Sequence, residues 1–377
     1  MARLDPELLR KIAGWETNGV PVTSLLLDVD GRRWPKRADY IRRAEDLTDR
    51  VCREAEAMGK EAHRSACHDR ERVDSFVRDE FERSGRVRGL AAFSSSGAGL
   101  WETVTVSRPL RDRVVLAPRP YLLPLESLVE LSESFCTVIV DRAKARIFFS
   151  RLGEVEERTS ILDEVPGRHD QGGWSQARLQ RHIEDHVQRH LKRVAEALLR
   201  LQRARPFDHL VLAGPEEAVA ELERELHDYV SRRVLARTSL PIHAGADEVL
   251  ERTMQLELEL EDRRERDAVG RLASEARAGT GRAVAGMGET LSVLEENRAD
   301  ALVVLAGLRA TGVHCTSCGH LDTGGKRCAV CRSPVEEVPD LVEVAVEEAL
   351  RRRCRVETVE SSGDLERLGG IGALLRF

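Results

Sequence analysis

Gly167-Arg168-His169-Asp170-Gln171-Gly172-Gly173-Trp174-Ser175-Gln176 is a polar loop that leads directly into a helical pattern extending to about Arg205. Apolar residues recur at three- and four-residue steps from Leu179 to Leu198, which predicts a long helix with one buried stripe. Ser175 stands where an N-cap residue belongs. The two adjacent glycines accept backbone angles that other residues resist, so the loop can be thin and can approach a partner closely.

The face of this helix opposite the apolar stripe is densely cationic. Together with Trp174, the candidate RNA-binding residues are Arg178, Arg181, His182, Arg189, Lys192 and Arg193. Such a run of charge can contact phosphates, but it is equally typical of a solvated helix face, and the pattern alone leaves both interpretations open.

Three histidines, His182, His186 and His190, recur every four residues along the same helix. Two histidines at this spacing bind zinc in the HExxH motif. Because Ile183 and not a glutamate follows the first histidine, the metalloprotease interpretation fails. Additional basic surface toward phosphates is the better interpretation of these residues.

The chain as a whole is acidic rather than basic. Its 377 residues carry a formal net charge of −6, so any contact with RNA has to come from local basic patches. No apolar run approaches the roughly 20 residues that span a bilayer, and the charged N-terminus has no signal-peptide core. Four of the eight cysteines form CxxC pairs, which fits reduced thiols and a metal better than a disulfide framework. We therefore expect a cytoplasmic protein that does not enter a membrane.

Strand and helix patterns alternate along the chain and predict a mixed α/β (α+β) fold of three domains, each a mixed β-sheet covered by helices. The expected domains are residues 1–130, 131–265 and 266–377. A proline-rich stretch near residues 118–124 marks the first boundary region. In the second domain, three strands at hairpin spacing precede the Gly-Gly loop.

The strongest local motif is a pair of knuckles, Cys315-Thr-Ser-Cys318 and Cys328-Ala-Val-Cys331. Four thiolates at this spacing suit tetrahedral zinc and leave no position for water. We therefore predict a structural zinc site that stabilises an insertion in the C-terminal domain. A redox-active CxxC is the alternative, and a flanking histidine, His314 or His320, is a less favoured ligand. The four cysteines outside the motif are expected to be ordinary buried or half-buried thiols: Cys52, Cys67, Cys136 and Cys354.

A second basic segment, Gly31–Arg37, combines four cations with Trp34. Cations beside an aromatic ring can hold a phosphate and stack a base. The other interpretation, which we favour, is a basic turn in which Trp34 covers the end of a helix.

The three strands, the Gly172-Gly173 loop, the nearby glutamine and the Arg/His-rich helix resemble the central domain of archaeal and eukaryotic class-I peptide chain release factors. In that family the loop carries Gly-Gly-Gln followed by Ser-Ala, and a basic helix comes next. The CxxC-CxxC insertion is similar to the C-terminal domain of the archaeal members. The chain also resembles Pelota and the peptidyl-tRNA hydrolases of ribosome-associated quality control, which implies a bacterial branch of this superfamily.

Two departures from the family pattern bear on function. Trp174 occupies the position of the family's glutamine, and Gln176 lies two residues later. The N-terminal segment lacks the Asn-Ile-Lys-Ser and Cys-containing motifs of stop-codon decoding. The resemblance therefore implies rescue or quality control rather than termination.

The chemistry expected of the loop is hydrolysis of the peptidyl-tRNA ester. A side-chain amide both donates and accepts hydrogen bonds and has no ionisable group, so Gln176 can orient a water while Gly172 and Gly173 give the close approach. The expected partners are ribosomal RNA and peptidyl-tRNA, with a translational GTPase as a further candidate. Two alternatives remain: a non-catalytic hibernation or stress factor that occupies the tRNA site, and a nuclease acting at the acceptor end of tRNA.

Overall fold

The computed structural model describes residues 2–17, 19–162, 175–359 and 361–376, and it describes side chains for all of these except residues 2–3, 162 and 175–183. The chain forms two compact units. One comprises Met1–Leu131 and Leu260–Phe377, and the other comprises Ser132–Glu259. The predicted mixed α/β fold class is confirmed, with several mixed and antiparallel sheets covered by helices. The three-domain division stays a prediction.

The N-terminal sheet contains β1 (Ala2–Arg3), β2 (Val22–Asp28), β3 (Gly89–Ser95), β4 (Leu100–Val106) and β5 (Arg113–Ala117), in the order β1-β4-β3-β2-β5. The first strand pairs parallel with β4, and the other neighbours are antiparallel. The accompanying helices are α1 (Pro6–Ala13), α2 (Arg37–Thr48), α3 (Val51–Glu56), α4 (Lys60–Ser75) and α5 (Leu123–Leu131). A π-helical turn, Phe76–Glu80, continues α4, and a 3₁₀ turn, Ser96–Ala98, joins β3 to β4. The helical region breaks at Gly59, between α3 and α4, and another break separates α2 from α3.

A buried carboxylate ties α4 to this sheet. Asp69 is fully buried and accepts a hydrogen bond from the Ser94 hydroxyl at 2.8 Å. It also accepts from the backbone N–H and the hydroxyl of Ser96, both at 2.6 Å, and from the Thr23 hydroxyl at 3.4 Å. A buried charge is tolerated when hydrogen bonds of this kind surround it.

Cys52 and Cys67 are joined as a disulfide between α3 and α4, so the expectation of free thiols at these two positions was wrong. Packing of the two helices brings their Cα atoms to 5.1 Å, a separation that a disulfide can bridge. Cys136 and Cys354 are free and buried, as predicted.

The second unit is built on β6 (Ser134–Val140), β7 (Lys144–Arg151), β8 (Glu154–Leu162), β9 (His209–Ala213) and β10 (Val234–Thr238), in the order β10-β9-β6-β7-β8. Three antiparallel strands, β6 to β8, continue into a parallel pair, β9 and β10. Its helices are α6 (Ser175–Ala204), α7 (Glu216–Glu225) and α8 (Asp228–Ser231), and α9 (Ala246–Ala278) begins here. The three predicted strands and the predicted long helix are confirmed.

The C-terminal part of the first unit begins with β11 (Ala283–Ala285), α10 (Met287–Glu295) and β12 (Ala299–Leu305). A small sheet of β13 (Gly312–His314), β14 (Leu321–Asp322) and β15 (Glu336–Val338) is inserted next, in the order β14-β13-β15. The chain then returns through α11 (Leu341–Arg351), β16 (Arg355–Val359), α12 (Gly363–Arg367) and β17 (Ile371–Leu375). The main sheet has the order β11-β17-β12-β16, with α10 and α11 packed on one face.

Half-buried ion pairs connect the two parts of the first unit. Arg113 on β5 contacts Glu343 and Glu347 of α11 at 3.1 Å each, and Arg111 contacts Glu343 at 2.9 Å. Burial raises the pKa of Glu343 in spite of the two arginines.

None of the helices in the described part of the chain is long and apolar enough to cross a bilayer.

We expect the substitution Asp69→Ala to lower the free energy of unfolding by roughly 2–4 kcal/mol, because it leaves the buried hydroxyls of Thr23 and Ser94 without their acceptor. Urea denaturation of the full chain measures the change. The matched control is Glu71→Ala, which removes an exposed carboxylate from the same helix and should change stability by less than about 0.5 kcal/mol. Equal, small effects of both substitutions would contradict a structural role for Asp69.

Candidate functional site: a basic helix and a cysteine cluster

The loop at the centre of the sequence prediction lies largely outside the described residues. Gly172, Gly173 and Trp174 belong to residues 163–174, which the structure does not describe. Gln176, Arg178, Arg181 and His182 fall on the backbone of α6, whose described bounds are Ser175–Ala204. Gln176 therefore stands in the first turn of the helix, and its catalytic role stays a prediction.

The apolar stripe of α6 is buried against the sheet of the second unit. Val187, Leu191, Val194 and Leu198 are each at most 4% exposed, and they pack in one core with aliphatic side chains of β6, β7 and β9. The apolar residues that recur at three- and four-residue steps in the sequence are therefore the residues that α6 buries. This packing fixes which side of the helix faces outward.

The outward face of α6 carries the predicted cations. Arg189, Lys192 and Arg193 are all exposed. Two further exposed arginines are each paired with a glutamate, Arg200 with Glu196 at 3.7 Å and Arg205 with Glu156 at 3.6 Å. Because an α-helix rises about 1.5 Å per residue, Arg189 and Arg200 lie about 16 Å apart along the axis, so these cations form an extended surface and not a compact site.

His190 does not belong to that surface. It is 1% exposed and lies on the buried side of the helix, so its assignment to basic surface toward phosphates was wrong. The four-residue spacing of the histidines drifts around a helix with 3.6 residues per turn, which carries successive members away from a single face. His186, one turn earlier, is half-buried.

The four predicted metal ligands are brought together by the small inserted sheet. The Sγ atoms of Cys315, Cys318, Cys328 and Cys331 all lie within 4.8 Å of one another. The first knuckle spans the turn between β13 and β14, where the N–H of Gly319 donates to the Cys315 carbonyl at 2.8 Å. Gly319 has a φ of +78°, which glycine adopts without strain.

The second knuckle directs backbone N–H groups at a sulfur. The N–H groups of Val330 and Cys331 both donate to Sγ of Cys328 at 3.4 Å, which fixes this sulfur within the turn of its own knuckle. Cys315 and Cys328 are buried, while Cys318 and Cys331 are exposed. Sulfur atoms this close fit a tetrahedral ion with bonds of about 2.3 Å.

The flanking histidines do not join the cysteines. Nδ1 of His320 lies 2.7 Å from a carboxylate oxygen of Glu295 on α10, and neither His314 nor His320 is part of the cluster. Among the described residues, the donor set is thus four sulfurs with no position left for a catalytic water. A metal site with four protein ligands and no open position is of the structural kind and not of the catalytic kind.

Comparison with known proteins adds a family match. Residues 120–258 match bacterial archaeo-eukaryotic release factor family 10, a range that contains the unit of β6 to β10 almost entirely. Peptide chain release factor subunit 1 of Methanobrevibacter smithii is 27% identical over 287 residues, 68% of each chain. The same protein of Methanocaldococcus jannaschii is 26% identical over 326 residues, 77% of each chain.

Solved structures give matches of lower identity. The archaeal translation termination factor aRF1 aligns with 98% of this chain and 96% of its own, at 17% identity and a TM-score of 0.27. Ribosome-bound archaeal Pelota, described with ABCE1, aligns over 79% of each chain at 17% identity and a TM-score of 0.42. On the family match and the curated relatives, the chain is similar to archaeal peptide chain release factors, and its residues 120–258 match a bacterial family of the archaeo-eukaryotic release factor type.

Proposed function

We propose that this protein binds the ribosome and hydrolyses the ester of peptidyl-tRNA in rescue or quality control, without decoding a stop codon. The observation that carries the proposal is the helix α6, whose apolar stripe is held by the sheet while its exposed face is cationic. The helix directly follows the Gly172-Gly173 pair in the chain. The similarity to archaeal peptide chain release factors supports the same conclusion.

The cations of α6 are suited to binding ribosomal RNA. Their positive charge is local, since the whole chain carries a net charge of −6. Lysine and arginine side chains that neutralise phosphates release counterions, so the resulting affinity falls steeply with salt. Contacts to phosphates position a protein on RNA without recognising the base sequence. Such positioning is what the Gly-Gly loop would need in order to reach the peptidyl-tRNA ester.

The reaction would depend on positioning rather than on an ionisable group. Gly172 and Gly173 allow the backbone to come close to the ester, and an amide such as that of Gln176 can hold a water by donating and accepting hydrogen bonds. Holding reactants in place accounts for a large share of the rate of many reactions. We further propose the cytoplasm as the location and a translational GTPase as a delivery partner.

A second function is favoured by one observation on the sequence. Trp174, with no amide in its side chain, stands directly after the two glycines. A factor with this tip could occupy the tRNA site during dormancy without releasing a peptide.

Peptide release from stalled ribosomes tests the catalytic proposal. We expect the wild-type chain to release a labelled peptide and Gln176→Ala to slow release about 100-fold or more, because the water loses its positioning group. The matched control is Gln188→Ala, an exposed glutamine of the same helix, which should release at the wild-type rate. Unchanged release by Gln176→Ala would remove this residue from the mechanism. Co-sedimentation of the wild-type chain with ribosomes, without any release, would favour the dormancy factor.

The salt dependence of ribosome binding tests the role of α6. We expect the triple substitution Arg189→Gln, Lys192→Gln and Arg193→Gln to reduce the slope of log affinity against log salt by about 2 to 3, because each phosphate that a cation neutralises adds roughly 0.7–0.9 to that slope. Three exposed arginines of the first unit form the control when they are neutralised in the same way: Arg42, Arg53 and Arg64. An equal effect of both triple substitutions would mean that α6 is not the RNA-binding surface.

For the cysteine cluster we propose a structural zinc ion, held by Cys315, Cys318, Cys328 and Cys331. The ion would supply a cross-link between the two knuckles of the inserted sheet. The donor set fits because soft thiolates in tetrahedral array select zinc over harder cations.

Metal analysis of the purified chain checks this assignment. We expect about one zinc per chain, loss of that metal in Cys328→Ser, and a lower melting temperature of the wild-type chain after chelation. Cys354→Ser is the control, because Cys354 is buried and free but outside the cluster, and it should keep its zinc. Iron in place of zinc, or full zinc content in Cys328→Ser, would contradict the proposal.

A further inference from the structure

A cavity of about 360 Å³ lies inside the first unit, and no residue of the cysteine cluster lines it. Residues from four distant parts of the chain form its walls: the segment from the end of β2 through α2, the loop before β5, the loop after β12, and Thr358 of β16. The lining includes four arginines, Arg33, Arg43, Arg111 and Arg309, and the indole of Trp34. We refer to it as the arginine cavity.

The two carboxylates of the arginine cavity are already engaged by protein donors. Asp28 accepts from Nη1 of Arg33 at 3.1 Å. Asp112 accepts from the backbone N–H of Asp28 at 2.7 Å and is paired with Arg43. Burial raises the pKa of Asp112 in spite of Arg43. Both carboxylates of the lining are thus paired with an arginine, so the cavity is not built for a cation.

The donors of the cavity are held in place but not all satisfied. Arg111 is fixed by Glu343 at 2.9 Å and by the carbonyl of Leu308 at 3.2 Å, whereas its Nη1 atom is buried and has no acceptor among the described residues. The ring of Trp34 has the guanidinium of Arg43 over it at 3.8 Å, and its Nε1 is likewise buried without an acceptor in the described part of the chain. A buried donor left unpaired costs about 1–3 kcal/mol.

Each of the four guanidinium groups already has one carboxylate partner, either in the lining (Asp28, Asp112) or beside it (Glu343, Asp340), so what the lining offers in excess is N–H donors. The fitting ligand is therefore rich in hydrogen-bond acceptors. Guanidinium groups match the oxygens of a phosphate in geometry as well as in charge. The volume falls within the range of small-molecule sites, about 300–1,000 Å³.

We propose that the arginine cavity binds a small molecule that carries a terminal phosphate group. This site is independent of peptide release and of the cations on α6. It gives a role to the basic segment Gly31–Arg37, of which Arg33 and Trp34 line the cavity. Trp34 acts there as a hydrogen-bond donor held by Arg43.

Calorimetric titration of the full chain tests the proposal, with inorganic phosphate and adenosine 5′-monophosphate as probes and chloride at equal ionic strength as reference. We expect saturable binding of at least one phosphate probe. Tighter binding of the nucleotide identifies a phosphate ester as the ligand, and tighter binding of inorganic phosphate identifies the free ion; either supports the site.

Two substitutions connect the binding to this cavity. Arg309→Gln removes a side chain that is 71% exposed and paired with Asp340 at 3.1 Å, so it should not disturb folding, and we expect affinity to fall about tenfold. Trp34→Phe keeps a ring but removes the N–H, and we expect a loss of about threefold or more. The matched control is Arg367→Gln, which removes an arginine 73% exposed and paired with Asp364 at 2.7 Å outside the cavity.

The control should bind like the wild-type chain. The proposal is overturned if neither phosphate probe binds beyond the chloride reference, or if Arg367→Gln weakens binding as much as Arg309→Gln. It is equally overturned if a single-stranded RNA without terminal phosphates is bound through Arg309 while both phosphate probes fail.

Discussion

Burial of the aliphatic stripe of α6 against its sheet is the constraint on which the functional surface depends. Four side chains, Val187 to Leu198, are almost fully removed from water, and each such burial stabilises the fold by about 1.5–3 kcal/mol. The helix cannot rotate without exposing them. The orientation of Arg189, Lys192 and Arg193 toward solvent is thereby set by the core and not by the cations themselves.

Features that depend only on residues close together in the chain could be predicted from the sequence. The stripe of α6 follows from its residue spacing, and the two knuckles follow from two CxxC motifs ten residues apart in the chain. The strands β2, β3, β4, β6 and β7 are also clear, because β-branched and aliphatic residues fill them. The short strands β5, β10 and β11 lie at or near sheet edges and were not predicted, and neither were the helices α5 and α10.

Features created by long-range packing could not be predicted. The burial of His190 depends on which side of α6 meets the sheet, and the disulfide depends on how α3 packs against α4. The arginine cavity is the clearest case, since Trp34, Arg111 and Arg309 come together from three separate loops. For the segment Gly31–Arg37, phosphate binding was the less favoured of two interpretations, and its own residues could not indicate which other arginines would join it. The glycine pair, within residues 163–174, is known from the sequence alone.

Each of the three large sheets is formed from one continuous stretch of chain, within residues 2–117, 134–238 and 283–375. The ion pair of Arg113 with Glu343 is different, because its partners are 230 positions apart. During synthesis at about 5–20 residues per second, roughly 10–50 s separate the appearance of the two residues. For that interval the finished N-terminal sheet presents Arg111 and Arg113 to water without their glutamates. Closure of the first unit is therefore a late event in biogenesis, after the intervening unit has had time to fold.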